Sequence, residues 1–231
     1  MAIAFVQAWT GVQGNAVASV TTGTLTTTSG NFIGVGQTCD ASASTISDNK
    51  SNTVAVAIGP IQNASDYIQI AYFKNIVGGA SHTVTSTRSG AGYHTLCPAE
   101  FSGLDLTAPL DQTASATGTS TALNSGNTST TTVANELLLG TGTISAGTNS
   151  SWTAGTNFTM RGSVGNALAG AVGYLESRIV SATGAYAAPA TWGGSSDGWI
   201  AAIATFKEST TGELLPRNMI ISQAVSRSMN W

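Results

Sequence analysis

The chain has 231 residues, 42% hydrophobic and only 8% charged, with a formal net charge of −3. So few Lys and Arg, none of them clustered, exclude the counterion-displacing surface of a nucleic-acid binder, and the hydrophobic content excludes a charged, disordered chain. No stretch reaches the ~20 apolar residues of a membrane span, while the length suits one large β-sandwich that folds without a disulfide or metal staple.

Met1-Ala-Ile-Ala-Phe-Val-Gln has neither the basic segment nor the apolar run of a signal peptide. It reads as a first strand, and the chain as one made in a cytoplasm. Helical periodicity is nearly absent. Short β-branched and alternating runs predict strands at Ala2–Trp9, Ala16–Thr21, Phe32–Thr38, Thr53–Ile58, Tyr67–Lys74, His82–Thr87, Tyr93–Phe101, Glu136–Ile144, Phe158–Gly162, Ala171–Val180 and Trp199–Phe206. In Thr53–Ile58 the residues Val54, Val56 and Ile58 share one face, the period of two of a strand. Tyr67–Lys74 is apolar on both faces, as a covered central strand would be. Trp199, Ile203 and Phe206 also fit a helix stripe, but eight residues before a polar stretch favour a strand.

Asp48-Asn49-Lys50-Ser51-Asn52 supplies side chains that bond their own backbone in a turn. Gly78-Gly79 and Gly193-Gly194 mark other reversals. The stretch Thr113–Val133 is rich in Thr, Ser, Asn and Gly, and reads as a long loop or a polar edge strand crossing within one domain. The expectation is an all-β antiparallel sandwich, jelly-roll or concanavalin-like, over 1–208, and an extended tail over 209–231. The tail holds Leu214, Leu215, Met219, Ile220, Ile221, Val225, Met229 and Trp231. Apolar residues outside a finished core need a surface to bury against, either a neighbouring subunit or the chain's own sandwich.

Chemistry is sparse. His82 and His94 are the only histidines, and no Gly-x-Ser-x-Gly elbow is present. His82 is expected on an outward strand face and His94 near a strand start, both in structural or surface roles. Glu100 ends an apolar run and is expected to accept hydrogen bonds from turn amides. Cys39 and Cys97 are far apart in sequence and read as buried free thiols, a disulfide between them being allowed but not demanded. They show no zinc spacing with the histidines. The Asp48–Asn52 run lacks the spaced acids of a calcium loop. Gly34-Val35-Gly36 lies in a strand without the following helix of a dinucleotide site. No catalytic, cofactor or metal site is assigned. Sugar binding needs exposed aromatic platforms beside polar groups. Trp9, Trp152, Trp192 and Trp231 lie in or beside polar loops, and Trp152 and Trp192 are the candidate platform.

Several motifs recur in a telling order. Ser47-Asp48-Asn49 and Asn52-Thr53 precede Ile70-Ala-Tyr-Phe-Lys-Asn-Ile-Val-Gly-Gly-Ala-Ser-His-Thr-Val-Thr85. Ala99-Glu-Phe-Ser-Gly-Leu-Asp105 and Ala108-Pro-Leu-Asp111 follow, then Thr132-Val-Ala-Asn-Glu-Leu-Leu-Leu139, Ser181-Ala-Thr-Gly-Ala-Tyr186 and Trp199-Ile-Ala-Ala-Ile-Ala-Thr-Phe-Lys207. From Phe32 to Lys207 the chain resembles a widespread, uncharacterised family of β-sandwich proteins found in bacteriophage structural gene clusters and bacterial genomes. The resemblance implies a jelly-roll or lectin-like sandwich with a virion or surface role, and carries over no catalytic residue.

The leading expectation is a bacteriophage virion structural protein, a capsid decoration (cement) protein, and not an enzyme. Its partners would be the major capsid protein or other virion proteins, and further copies of itself, a homotrimer fitting the threefold lattice junctions. It would be localised in the virion, assembled in the host cytoplasm. The expected contacts are Ile3 and Phe5 near the start and the tail residues named above, burying apolar area at ~25 cal/mol per Å². The low charge fits dense packing of like subunits, since little repulsion holds copies apart. The alternative is a carbohydrate- or receptor-binding module of a tail fibre or cell surface.

Overall fold

Alternation and β-branching carry through into strands along almost the whole chain, with no helix among the described residues. The computed structural model describes residues 1–40, 44–145, 150–165 and 171–210. The first half of the chain supplies β1 (Ala4–Ala8), β2 (Val12–Thr21), β3 (Leu25–Thr27), β4 (Phe32–Asp40), β5 (Thr45–Asp48), β6 (Val54–Asn63), β7 (Asp66–Phe73), β8 (Gly79–His82) and β9 (Val84–Ser102). The second half supplies β10 (Leu110–Ser120), β11 (Ala122–Asn124), β12 (Asn135–Ile144), β13 (Trp152–Ala154), β14 (Thr159–Val164), β15 (Gly173–Ser181), β16 (Pro189–Trp192) and β17 (Asp197–Lys207).

These form an antiparallel β-sandwich. One main sheet runs β1-β9-β4-β7-β6, with β2 and β5 also paired to β9; the other runs β10-β17-β12-β15-β14. Each main sheet is therefore built from one half of the chain. The halves are joined through Gly103–Pro109. The stretch Thr113–Val133 does cross within the one domain, since β10 and β12 lie on opposite sides of β17. Its first part is the polar edge strand β10, paired along β17, and the loop alternative fails there. The two strands expected at His82–Thr87 and Tyr93–Phe101 are largely one, since β9 runs 19 residues. Its first part pairs with β5 and the end of β2, and its last part lies between β1 and β4. The segment with helical ambiguity is strand β17, between β10 and β12.

The core sits between the main sheets. Phe32, Ile68, Ile70, Tyr72 and Phe101 of the first meet Leu137, Leu139, Leu175, Ala202, Ala204 and Phe206 of the second. Phe32 stacks on Tyr72 at 5.4 Å, and Phe206 meets both rings edge-on at 4.8 and 5.2 Å. Such ring pairs add to the area they bury. Both outer faces are covered as well. The sheet β11-β16-β13 lies over the second main sheet, packing Leu123, Trp152 and Trp192 on Tyr174 and Ala201. On the first, Ile33, Val35, Ala71 and Phe73 lie under Trp9, Ile46 and Val84. Coverage on both sides is why β7 and β17 lack a polar face.

Close approach of the sheets depends on Gly36 in β4. A Cβ there would stand 2.7 Å from the Tyr174 carbonyl oxygen and 2.8 Å from Thr141 Oγ1. A backbone oxygen yields only if strand β15 shifts. Gly36→Ala is expected to cost about 1–3 kcal/mol in chemical denaturation. Gly23→Ala, with nothing within 4 Å of the new carbon, is the control and should change stability little.

Candidate functional site

The expected sugar platform is not on the surface. Trp152 and Trp192 are only 7% and 1% exposed. They face each other across the β13–β16 pair, with ring centroids 4.8 Å apart. Trp152 also packs on Tyr174 at 4.7 Å and donates its Nε1–H to the Val164 carbonyl at 3.1 Å. Alternation explains the misreading. Ser151 and Thr153 flank Trp152, and Thr191 and Gly193 flank Trp192. These neighbours suggest a polar loop, but on a strand they point away from the ring. Trp9 is likewise buried, and Trp231 lies outside the described residues.

The histidines are buried, not superficial. His82 ends β8, which pairs with β3 in a two-stranded ribbon, and this carries it inward. Its Nδ1 meets Thr27 Oγ1 at 2.7 Å and its Nε2 meets Asp48 Oδ2 at 2.8 Å. Asp48 also accepts hydrogen bonds from the Lys50 and Asn52 amides at 3.1 and 2.9 Å, the Asx turn expected of that run. Hydroxyl, imidazole and carboxylate thus stand in the order of a nucleophilic triad. Thr27 and His82 are buried, however, and the Asp48 side chain is 0% exposed. The chain of bonds fastens the ends of β3, β5 and β8 together, and it pairs a buried carboxylate that could not stay alone.

His94 is buried in a second cluster. Its Nδ1 meets Ser86 Oγ at 2.9 Å, and Gln37, Gln69 and Ser44 extend the network. Burial, then the Arg88 charge, hold its pKa below the ordinary value. Gly14 lies directly against the ring, where a Cβ would come within 2.4 Å of Nε2. A His–Ser pair in an open cleft would have marked a hydrolase; this pair has no room for substrate. Glu100 is buried too. It accepts from the Thr28 amide at 2.8 Å, Asn31 Nδ2 at 2.7 Å and Gln7 Nε2 at 2.6 Å, the turn-binding role expected of it. Cys39 and Cys97 are free and buried, and burial pushes the Cys97 thiol up to about 12.

Sequence reasoning missed two acids on the outer face of the second main sheet. Glu136 and Glu176 are both fully buried. Burial, offset in part by the Thr205 hydroxyl and augmented by Asp111, pushes Glu136 up to about 7. Burial pushes Glu176 up to about 8, against the lowering effect of its bond from the Gly155 amide at 2.9 Å. Glu136 pairs across β12 with Val180, four residues along the register from the Gly140–Glu176 pair. At ~3.4 Å per residue that spacing is too long for one catalytic carboxylate pair. Neither acid stood out: Glu136 lies near the start of its strand and Glu176 within one, and a charged residue in a strand usually faces water.

The open surface lies elsewhere, at the start of the chain. β1 is the terminal strand of its sheet, and a bulge interrupts its register between Phe5 and Gln7. Phe5 is 38% exposed, Val6 and Met1 more so. The Phe5 ring lies edge-on to Phe101, with the Arg161 guanidinium 3.8 Å from its centroid. Ile3, also expected at a contact surface, is instead only 9% exposed and belongs to the core between the sheets. Its remaining face helps line a cleft of about 320 Å³, with Ala2, Asn135, Ile179, Val180, Ser181 and Glu208. Leu214, Leu215, Met219, Ile220, Ile221, Val225, Met229 and Trp231 lie outside the described residues.

The buried acids set a pH dependence. Between its ordinary 4.5 and about 8, the folded chain holds a proton on Glu176 that the unfolded chain has released. Stability therefore falls as pH rises through that window and levels off above it. Glu176→Gln removes the Glu176 share of this dependence and leaves that of Glu136, which burial raises to about 7. In thermal melts the substitution should stabilise the chain by roughly 2–4 kcal/mol above the window and by almost nothing below it.

No family model matches the chain, and neither the curated proteins nor the solved structures contain a significant match to it.

Proposed function

We propose that the protein is a bacteriophage virion structural protein, a head decoration protein that cements the capsid. One observation carries this reading: an exposed aromatic and aliphatic group, Met1, Phe5 and Val6, on the terminal strand of a sheet. Free strand edges are normally guarded by charge, proline or a covering segment, because they recruit other chains. Here the bulge at Val6 spoils ladder addition, so a partner would meet the side chains rather than extend the sheet. The low charge and the motif order that resembles phage structural proteins support the same reading. The partners would be the major capsid protein or other virion proteins, with homotrimers at lattice junctions. The tail from residue 211 onward would add further apolar area.

Phe5 meets the core at Phe101 and lies under the Arg161 guanidinium, so Val6→Asp alone, at a residue 42% exposed, is the milder variant that separates contact from folding. Val6→Asp should convert the trimer to monomer in sedimentation velocity, with the melting temperature lowered by only about 2–4 °C. Antibody labelling of phage particles should decorate the head with the wild-type protein and lose the label with the variant. A wild-type protein that stays monomeric and never labels particles would sink the proposal.

A further inference from the structure

The cleft near the chain start has an unusual wall. β14 pairs with β15 only as far as Thr159↔Ser177. Beyond that point β15 runs on through Arg178, Ile179, Val180 and Ser181 with β12 on one side and, among the described residues, no strand laddered to the other. Ile179 is 46% exposed, although its cross-strand partner Leu137 is completely buried. A β-branched residue at that position belongs under a neighbour. The floor beside it is Ile3 and Val180, and the rim is Asn135 and Glu208.

The chain itself ends its described course at this rim. Glu208 lines the cleft, the Ser209 amide donates to the Gly103 carbonyl at 2.8 Å, and the Met1 amine donates to Ser209 Oγ at 3.3 Å. These bonds hold the exit point in place. Twenty-one residues follow, 211–231, and the first large apolar group among them is Leu214-Leu215, followed by Met219-Ile220-Ile221. At ~3.3 Å per residue only a short turn is needed to bring these back over Ile179. A tether this short gives an effective concentration near the millimolar range, far above that of any second copy in dilute solution.

We propose that this cleft and the free edge of β15 are the docking site for residues 214–221 of the same chain. Aliphatic side chains of this segment would cover Ile3, Ile179 and Val180. Val225, Met229 and Trp231 fall outside the segment named. The inference does not depend on the virion assignment.

Trypsin reads the arrangement directly, because Arg217 falls inside the docked segment and Arg227 outside it. In dilute full-length protein, cleavage after Arg217 should be about tenfold or more slower than after Arg227, as expected when cutting requires local release. Ile179→Asp alters a half-exposed side chain and should abolish the difference. Leu214→Ser with Leu215→Ser, which leaves the sandwich untouched, should do the same. Circular dichroism confirms that each variant is folded. Equal cleavage at both sites in the wild type overturns the proposal, as does protection that survives both variants. Protection of Arg217 that appears only as protein concentration rises also overturns it, and assigns the cleft to a second copy instead.

Discussion

The central strands of both main sheets, β4, β7, β12 and β17, are buried on both faces, and most of the chain's peculiarities follow from that constraint. A sandwich of two sheets ordinarily leaves one face of each in water. Here a ribbon and strand extensions cover one outer face, and a three-stranded sheet covers the other. Few strand positions are left to carry charge, which fits a composition of 8% charged residues. The same coverage draws polar residues inside. His82, His94, Glu100, Glu136 and Glu176 are all buried, and most must find partners within the protein because water is excluded.

This inward polarity separates chemical resemblance from chemical use. Thr27, His82 and Asp48 have the composition of a catalytic triad, and Ser86 with His94 that of a dyad. Both are sealed; the first joins segments distant in sequence, and the second, whose Ser86 and His94 share strand β9, does so only through Gln37, Gln69 and Ser44. A buried hydrogen-bonded network specifies one arrangement of the chain rather than many. The carboxyls raised by burial oppose folding at neutral pH, so these networks do not all stabilise the fold equally.

The sandwich class was legible in the sequence because period-two alternation is a local property. Val54, Val56 and Ile58 announce β6 without reference to anything else. The second layer of coverage was not legible. Whether Trp152 faces water or Tyr174 depends on a strand about forty residues away, and its polar neighbours look the same in either case. His82 was misplaced for the same reason, since alternation fixes which residues share a face but not which face is covered. The surface at Phe5 was visible as an apolar start, whereas Ile3, two residues earlier, proved to be core. Alternation puts the two on one face, so what separates them is which one the rest of the fold covers, and no single strand encodes that.

The division of the chain between the sheets has a consequence for synthesis. Residues 4–102 complete one main sheet before the first strand of the other, at 110, has left the ribosome. Until then Phe32, Ile70, Tyr72 and Phe101 have no opposing face. At ~5–20 residues per second, translating the second half leaves that apolar surface bare for roughly 5–20 s. The nascent first half therefore exposes apolar surface of the kind that aggregates or recruits chaperones, until the second half closes over it as a tethered lid.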